Sequence, residues 1–329
     1  MQVDTRTDTM SNIASYFGVN SQKLQRHYKH KASGFKQWNQ LSHAEDYLIY
    51  PENITDKLSI DEVSLSKGEL YTFVTNKNTG VRNKKSVVAV IQGTEAKTIQ
   101  TVLEKIPLEK RNQVKEVSMD MARNMGLAVE NSFANSTSVI DRFHVVRLVM
   151  DAMQHLRVKL RWKAIEEENT AIKQAKERGE KYYPQLLANG DTLKELLVRS
   201  RYLLYKFEED WTINQSKRAT ILFEKYPLLK AVYKLTLSFR SIYKNVLKSK
   251  ATTQFNEWKE EVIAMKIEEF NTVVNSIEYH LDNILNFFDS RSTNANAESF
   301  NSKIKGFRAN LRGVTDVKFF LFRLEKLFA

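Results

Sequence analysis

Three acids in this sequence stand where they could do chemistry together: Asp61, Asp120 and Glu298. Asp61 sits in the alternating run Leu58-Ser59-Ile60-Asp61-Glu62-Val63, which has the period of a half-buried strand. Asp120 closes a second such run, Val114-Lys115-Glu116-Val117-Ser118-Met119-Asp120. Glu298 lies in a late helical stretch. Carboxylates at the ends of neighbouring strands, joined by one from a packed helix, can hold two Mg²⁺ (or Mn²⁺) ions about 3.5–4 Å apart. Mg²⁺ is a hard cation that takes carboxylate oxygens and keeps several waters, so no cysteine is needed. Such a pair activates a water or a 3′-hydroxyl and stabilises the leaving oxygen of a phosphodiester.

The stretch around Glu298 reads as a helix capped by Ser292 or Thr293. At about 100° per residue, Phe300, Ile304, Phe307 and Leu311 form one apolar stripe. Asn294, Glu298, Asn301, Ser302 and Lys305 fall on the other face, where Glu298 is the single acid among amides, a hydroxyl and a base. A plain amphipathic surface helix fits the same spacing.

Upstream, residues 11–17 and 22–28 read as two short helices broken by Gly18-Val19-Asn20, with Ser21 as the second cap. A helix, a turn with glycine and a basic helix make the outline of a helix-turn-helix, and a generic helical hairpin has the same outline. Lys23 and Arg26 would face DNA. Residues 38–50 read as a connector. Strands follow at 58–63, 70–76 and 86–91, with a turn at Asn78-Thr79-Gly80, and they suggest an antiparallel meander. Helices at 98–106 and 122–133 alternate with strands at 114–120 and 138–141, as parallel crossovers require. The expected fold is α/β, a mixed five-stranded sheet. Residues 145–288 show no strand pattern and read as a long helical stretch. The last helix carries Phe319, Phe320, Phe322, Leu324 and Phe328, whose spacing places them in the core.

Composition agrees with a polyanionic partner. The 329 residues carry a formal net charge of +12, and 42% are hydrophobic, so the chain can build a sizeable core. The absence of cysteine excludes disulfides and thiolate zinc sites. No N-terminal apolar run marks a signal peptide, and no stretch has the ~20 apolar residues that span a bilayer. The expectation is a cytoplasmic protein with no membrane partner.

Four segments together resemble a known family: Ser59-Ile60-Asp61-Glu62, Ser118-Met119-Asp120, Val139-Ile140-Asp141-Arg142-Phe143-His144 and Asn294 through Lys305. Their order and spacing are similar to those of the DDE transposases of bacterial ISL-type insertion sequences, the ISL-three family, and most of all to its ISAon-like branch. The resemblance implies an RNase H-like core with Asp61, Asp120 and Glu298 as catalytic metal ligands, interrupted by a large helical insertion before the glutamate. The resulting division is 1–50 as a helix-turn-helix-like DNA-binding segment, 51–144 and 290–329 as the two parts of the core, and 145–289 as the insertion.

Asp141 and His144 match a family Asp-x-x-His element and, with Asn294 and Asn301, are expected to support the site. A helix N-cap and a buried, hydrogen-bonded imidazole are the structural alternatives for Asp141 and His144. Arg142, Lys303, Lys305 and Arg308 are candidate phosphate contacts, against ordinary surface charge. The implied activity is metal-dependent cleavage at element ends and joining of the freed 3′-hydroxyl to target DNA. A non-catalytic DNA-binding descendant and an RNase H-like nuclease are the alternatives. The resemblance also implies double-stranded DNA as partner and a homodimer or larger assembly. Longer family members carry an N-terminal Cys/His zinc module that has no counterpart here, so end recognition is expected to draw on a separate polypeptide or a further N-terminal region.

Overall fold

The computed structural model describes residues 2–66, 68–78, 85–311 and 314–329. The chain divides into two compact units, Met1–Asp141 with Ser290–Ala329, and Arg142–Asp289.

The first unit is built on a six-stranded mixed sheet. Its strands are β1 (Tyr47–Ile49), β2 (Lys57–Ser66), β3 (Glu69–Asn76), β4 (Val87–Gln92), β5 (Glu116–Met119) and β6 (Thr137–Ile140), in the order β1-β4-β3-β2-β5-β6. β2, β3 and β4 form the antiparallel meander, and β5 and β6 add in parallel beside β2. Each parallel addition follows a helix, Ala96–Leu103 before β5 and Arg123–Ser132 before β6. The expected count of five strands was one short. β1 lies in the segment read as a connector, and three residues are too few to show a two-residue period. Pairing Leu48 with Val90 is what makes it a strand. Residues Thr79 and Gly80 of the expected turn lie outside the described residues.

Alternation along β2 assigns its two faces. Leu58 and Ile60 join the apolar cluster containing Ile99, Leu103, Met125 and Val129 of the two crossover helices. Val63 and Leu65 join a second cluster on the opposite face, with Phe300, Ile304 and Phe307. Those three belong to the Ala295–Asn310 helix and are 3%, 0% and 1% exposed, so the predicted stripe is a core-facing surface. Burial of each contributes about 1.5–3 kcal/mol. That packing carries a helix whose asparagines, serines and Gly306 are weak helix formers.

The final helix, Val317–Phe328, is buried in the same cluster through Phe319, Phe320, Phe322, Leu324 and Phe328. So are Val3, Met10, Ile13, Tyr28, Phe35 and Trp38 from the N-terminal segment. Within that segment the helices Met10–Tyr16 and Ser21–His27 flank Gly18, whose φ of +62° is a left-handed conformation that suits glycine. The second helix is capped by Asn20, not by Ser21. The Asn20 side chain accepts from Lys23 N–H at 3.0 Å, and Ser21 has become the first helical residue.

The described residues of the second unit form helices and the loops between them, with no strand. The unit opens with the 36-residue helix Arg142–Glu177. Leu193–Arg199 and Ile213–Lys225 each begin with a threonine capping box, from Thr192 and Thr212. Pro227–Ile242, Lys248–Met265 and Glu268–Tyr279 pack through Phe239, Phe255, Trp258 and Phe270. After Glu268–Tyr279 the helical path is interrupted at His280 and Asn286. Asp191, almost fully buried, is held by Arg199 and by Arg218 at 3.2 Å.

Candidate active site

The parallel strands set the candidate carboxylates in a row. Ser59 pairs with Ser118 across β2 and β5, so continuing the register by two residues sets Asp61 opposite Asp120. Met119 pairs with Ile140 across β5 and β6, so one further residue sets Asp120 opposite Asp141. Equivalent positions of parallel neighbours share a face. For β2 that is the face of Val63 and Leu65, on which the Ala295–Asn310 helix packs.

The three aspartates have different tasks in the fold. Asp61 accepts from Glu62 N–H through Oδ1 at 2.8 Å and from the Asn301 side-chain amide through Oδ2 at 2.6 Å. Asp120 accepts from Ala122 N–H at 2.8 Å, which turns the chain out of β5 toward the next helix. Asp141 is 3% exposed and accepts the backbone N–H of Asn294 at 2.7 Å. It is thus a buried anchor for the start of the glutamate helix.

That start differs from expectation. The N-cap position is Asn294, and no side chain there makes a capping bond. Neither Ser292 nor Thr293, the two expected caps, takes that position, and Ser292 instead accepts a hydrogen bond from Lys77. Asn294 and Asn301, expected to support the site, are 1% and 7% exposed. Ser118 Oγ donates to Asn294 Oδ1, while Asn294 Nδ2 is buried without a hydrogen-bond partner. The physical reason is the sheet beneath. The polar side of this helix meets a polar strip at the strand ends, and these two side chains are covered there.

Asn294, Glu298 and Asn301 occupy one side of the helix at i, i+4 and i+7. Asn294 ties to Ser118 and Asp141, Asn301 ties to Asp61, and Glu298 is exposed one turn from each. Further along, Arg308 donates to the carbonyl of Ser64 at 2.9 Å. Seven helical residues rise about 10.5 Å, and three strand residues about 10 Å. The two contacts, Asn301 to Asp61 and Arg308 to Ser64, therefore keep step, and the helix runs alongside β2 in the same direction.

Arg308 is engaged within the fold. Lys305 is exposed and Lys303 partly so, and Lys23 and Arg26 are exposed on the second N-terminal helix. Arg142 and His144 stand on the first turn of the long helix of the second unit, with the Phe143 and His144 rings edge to face at 5.6 Å.

Glu62 is a residue that the sequence motifs do not single out. Its carboxyl is held above the ordinary carboxylate range by burial, then by the negative charges of Asp120 and Asp61. The available signal is its adjacency to Asp61, and alternation along β2 masks it by assigning Glu62 to the other face. Among the described residues no three acidic or imidazole side chains gather into a ready-made metal set. The donor chemistry nonetheless fits a hard divalent cation. Asp61 and Asp120 offer carboxylate oxygens from neighbouring parallel strands.

Because the folded value of Glu62 is raised, its neutral form lends stability fully below the unfolded value. That stability is lost as pH rises through the folded one. Glu62→Gln is therefore expected to raise the melting temperature at neutral pH and to leave it unchanged below about pH 4. Thermal melts of both proteins at the two pH values check this.

With this geometry in place, comparison with known proteins is direct. A family model described as Transposase, for the DDE transposases of the ISL-three group, matches residues 58–324. The chain belongs to that family. It is also similar to the Transposase for insertion sequence element IS1001 of Bordetella parapertussis, with 22% identity over 275 residues. The match covers 82% of this chain, which spans about 60% of the length of that curated relative. Among the described residues no helix is long and apolar enough to cross a membrane.

Proposed function

We propose that this chain is a DNA transposase that cleaves at the ends of an insertion sequence and joins the freed 3′-hydroxyl to target DNA. The observation that carries the reading is the alignment of Asp61, in the middle of β2, with Asp120, just past the end of the parallel neighbour β5, beside a helix that carries Glu298 between its ties to both strands. The order β4-β3-β2-β5-β6, an antiparallel meander with two parallel additions, supports an RNase H-like core.

Asp61, Asp120 and Glu298 are the residues that would hold divalent metal, two Mg²⁺ or Mn²⁺ ions. Bound there, the metal supplies charge neutralisation at the phosphodiester and an acidified water or 3′-hydroxyl. The chain's own groups prepare the site. Glu62 N–H and Asn301 orient the Asp61 carboxylate, and Asp141 holds the backbone from which the glutamate helix begins. Asn294 links that beginning to β5 through Ser118. His144 is assigned a supporting role through its match to the Asp-x-x-His element.

Lys23, Arg26, Arg142, Lys303 and Lys305 are proposed phosphate contacts on a chain of net charge +12. Arg308 would share in this only beyond its bond to Ser64. The partner is double-stranded DNA. Pairing two element ends calls for a homodimer or larger assembly, and end recognition would draw on a separate polypeptide or on a further N-terminal region.

The deciding experiment supplies a pre-cut duplex bearing the terminal repeats that bound the protein's own gene, together with supercoiled target and Mg²⁺ or Mn²⁺. Covalent joining of the 3′ end to the target is the expected result. Hydrolysis of DNA with no joined product would reduce the activity to a nuclease. Binding with neither reaction would leave a DNA-binding protein.

A further inference from the structure

Lys77 follows the last residue of β3, on the face that carries Ser59, Thr75 and Asp61. A lysine at a strand end is ordinarily solvated, yet this side chain is only 9% exposed. Its ammonium donates to Ser118 Oγ at 3.0 Å, to Glu116 Oε1 at 3.5 Å and to Ser292 Oγ. Burial lowers its pKa, while the charge and hydrogen bond of Glu116 oppose that shift. Glu116 is buried as well. Burial alone would raise its carboxyl, but hydrogen bonds with Ser292 and Ser290 and the charges of Lys77 and Lys57 outweigh it and hold the carboxyl low.

The Lys77 side chain joins three stretches of chain: the end of β3, the inward face of β5, and the 290–294 segment that leads into the Ala295–Asn310 helix. From Ser118 the network continues to Asn294, whose backbone N–H reaches Asp141 and whose carbonyl accepts the N–H of Glu298 at 2.9 Å.

Local sequence does not hold the start of this helix, since no side chain caps it. Its apolar stripe fixes the middle, from Phe300 onward, whereas in the first turn the small Ala297 is buried beside the polar contacts of Asn294. We infer that Lys77 is a positioning residue for Glu298, acting through Ser118, Ser292 and Asn294 to hold the first turn of the glutamate helix against β5. The inference rests on the proposed metal-dependent function of Asp61, Asp120 and Glu298, and the measurements below separate the two.

The test uses the full chain without DNA, as Lys77→Met and as the milder Ser118→Ala, with Asp61→Asn as the metal-site control. Hydrogen exchange is followed across residues 290–300, and Mn²⁺ binding is titrated by the loss of the free-ion magnetic resonance signal. Both network variants are expected to speed exchange at 294–298 by about tenfold or more while leaving Val317–Phe328 at the wild-type rate. Both are expected to weaken Mn²⁺ binding by about 10–100-fold, the usual cost of losing a group that orients a metal ligand. A purely structural lysine would speed exchange across the whole unit.

If wild type binds Mn²⁺, Asp61→Asn does not, and both network variants match wild type in both readouts, the positioning role is overturned and the functional reading stands. If wild type and Asp61→Asn bind alike, the functional reading fails, and the exchange pattern alone then decides whether Lys77 holds the helix. Should Lys77→Met fail to fold, Ser118→Ala decides by the same two readouts.

Discussion

Asp61→Asn is expected to abolish cleavage and joining, by about 10³-fold or more, while DNA affinity stays within about twofold of wild type. The size follows from what the substitution removes. A carboxylate becomes a neutral amide of the same shape, so the negative charge that would bind a cation is halved across the Asp61–Asp120 pair. The fold should tolerate the change. The new side chain keeps a carbonyl oxygen to accept from Asn301 or from Glu62 N–H, the two donors that Asp61 now serves. The phosphate contacts proposed on Lys23, Arg26, Lys303 and Lys305 are untouched, so binding is expected to survive. Cleavage of end-bearing duplex in Mg²⁺ is measured beside fluorescence anisotropy of the same DNA. Cleavage within about tenfold of wild type would remove Asp61 from the reaction.

Deletion of residues 2–45 is expected to unfold the first unit, not to yield a catalytic core stripped of a DNA-reading module. Phe35 packs edge-on against Phe319 and Phe322 at 5.3 Å each, and Trp38 against Phe322 at 5.4 Å. Trp38 Nε1 also donates to Glu325 at 2.6 Å. Arg323 is 3% exposed, and its guanidinium donates to the carbonyls of Val3 at 2.9 Å, Arg6 at 3.1 Å and Asp8 at 3.4 Å. Loss of a buried Phe or Trp side chain costs about 3–5 kcal/mol, and a whole domain is stable by only about 5–15 kcal/mol. Removing Phe35 and Trp38 together with Met10, Ile13 and Tyr28 exceeds that margin. Residues 46–329 should therefore be insoluble or melt without cooperativity in circular dichroism. A cooperative melt within a few degrees of the full chain would show that the N-terminal helices are a separate module.

Both expectations draw on features of unequal legibility in the chain. The meander and the two crossovers were legible because Leu58-Ser59-Ile60 and Val117-Ser118-Met119 alternate with the strand period, and because the helices between them carry the helical one. The buried stripe of Phe300, Ile304 and Phe307 was legible for the same reason. Family membership followed from four short motifs in order. Each of these is a local pattern, or a set of local patterns, and local patterns are written directly in residue spacing.

Partnership between distant segments is not. The antiparallel addition of Tyr47–Ile49 to the sheet depends on an edge supplied by β4, some forty residues on. Asn294 and Asn301 were expected to support the site, but their partners were not legible: the sheet beneath them offers Ser118, Asp141 and Asp61 as hydrogen-bond partners, so burial costs them little. Lys77 carried no signal at all, since its burial is set by Glu116, Ser118 and Ser292, which only the fold brings to it. By itself the sequence determined the residue types, the periods and hence the elements of this protein. Which polar groups would be buried together, and so what ties the helix of Glu298 to β2 and β5, was decided by tertiary structure, because a buried polar group is stable only where another segment supplies its partner.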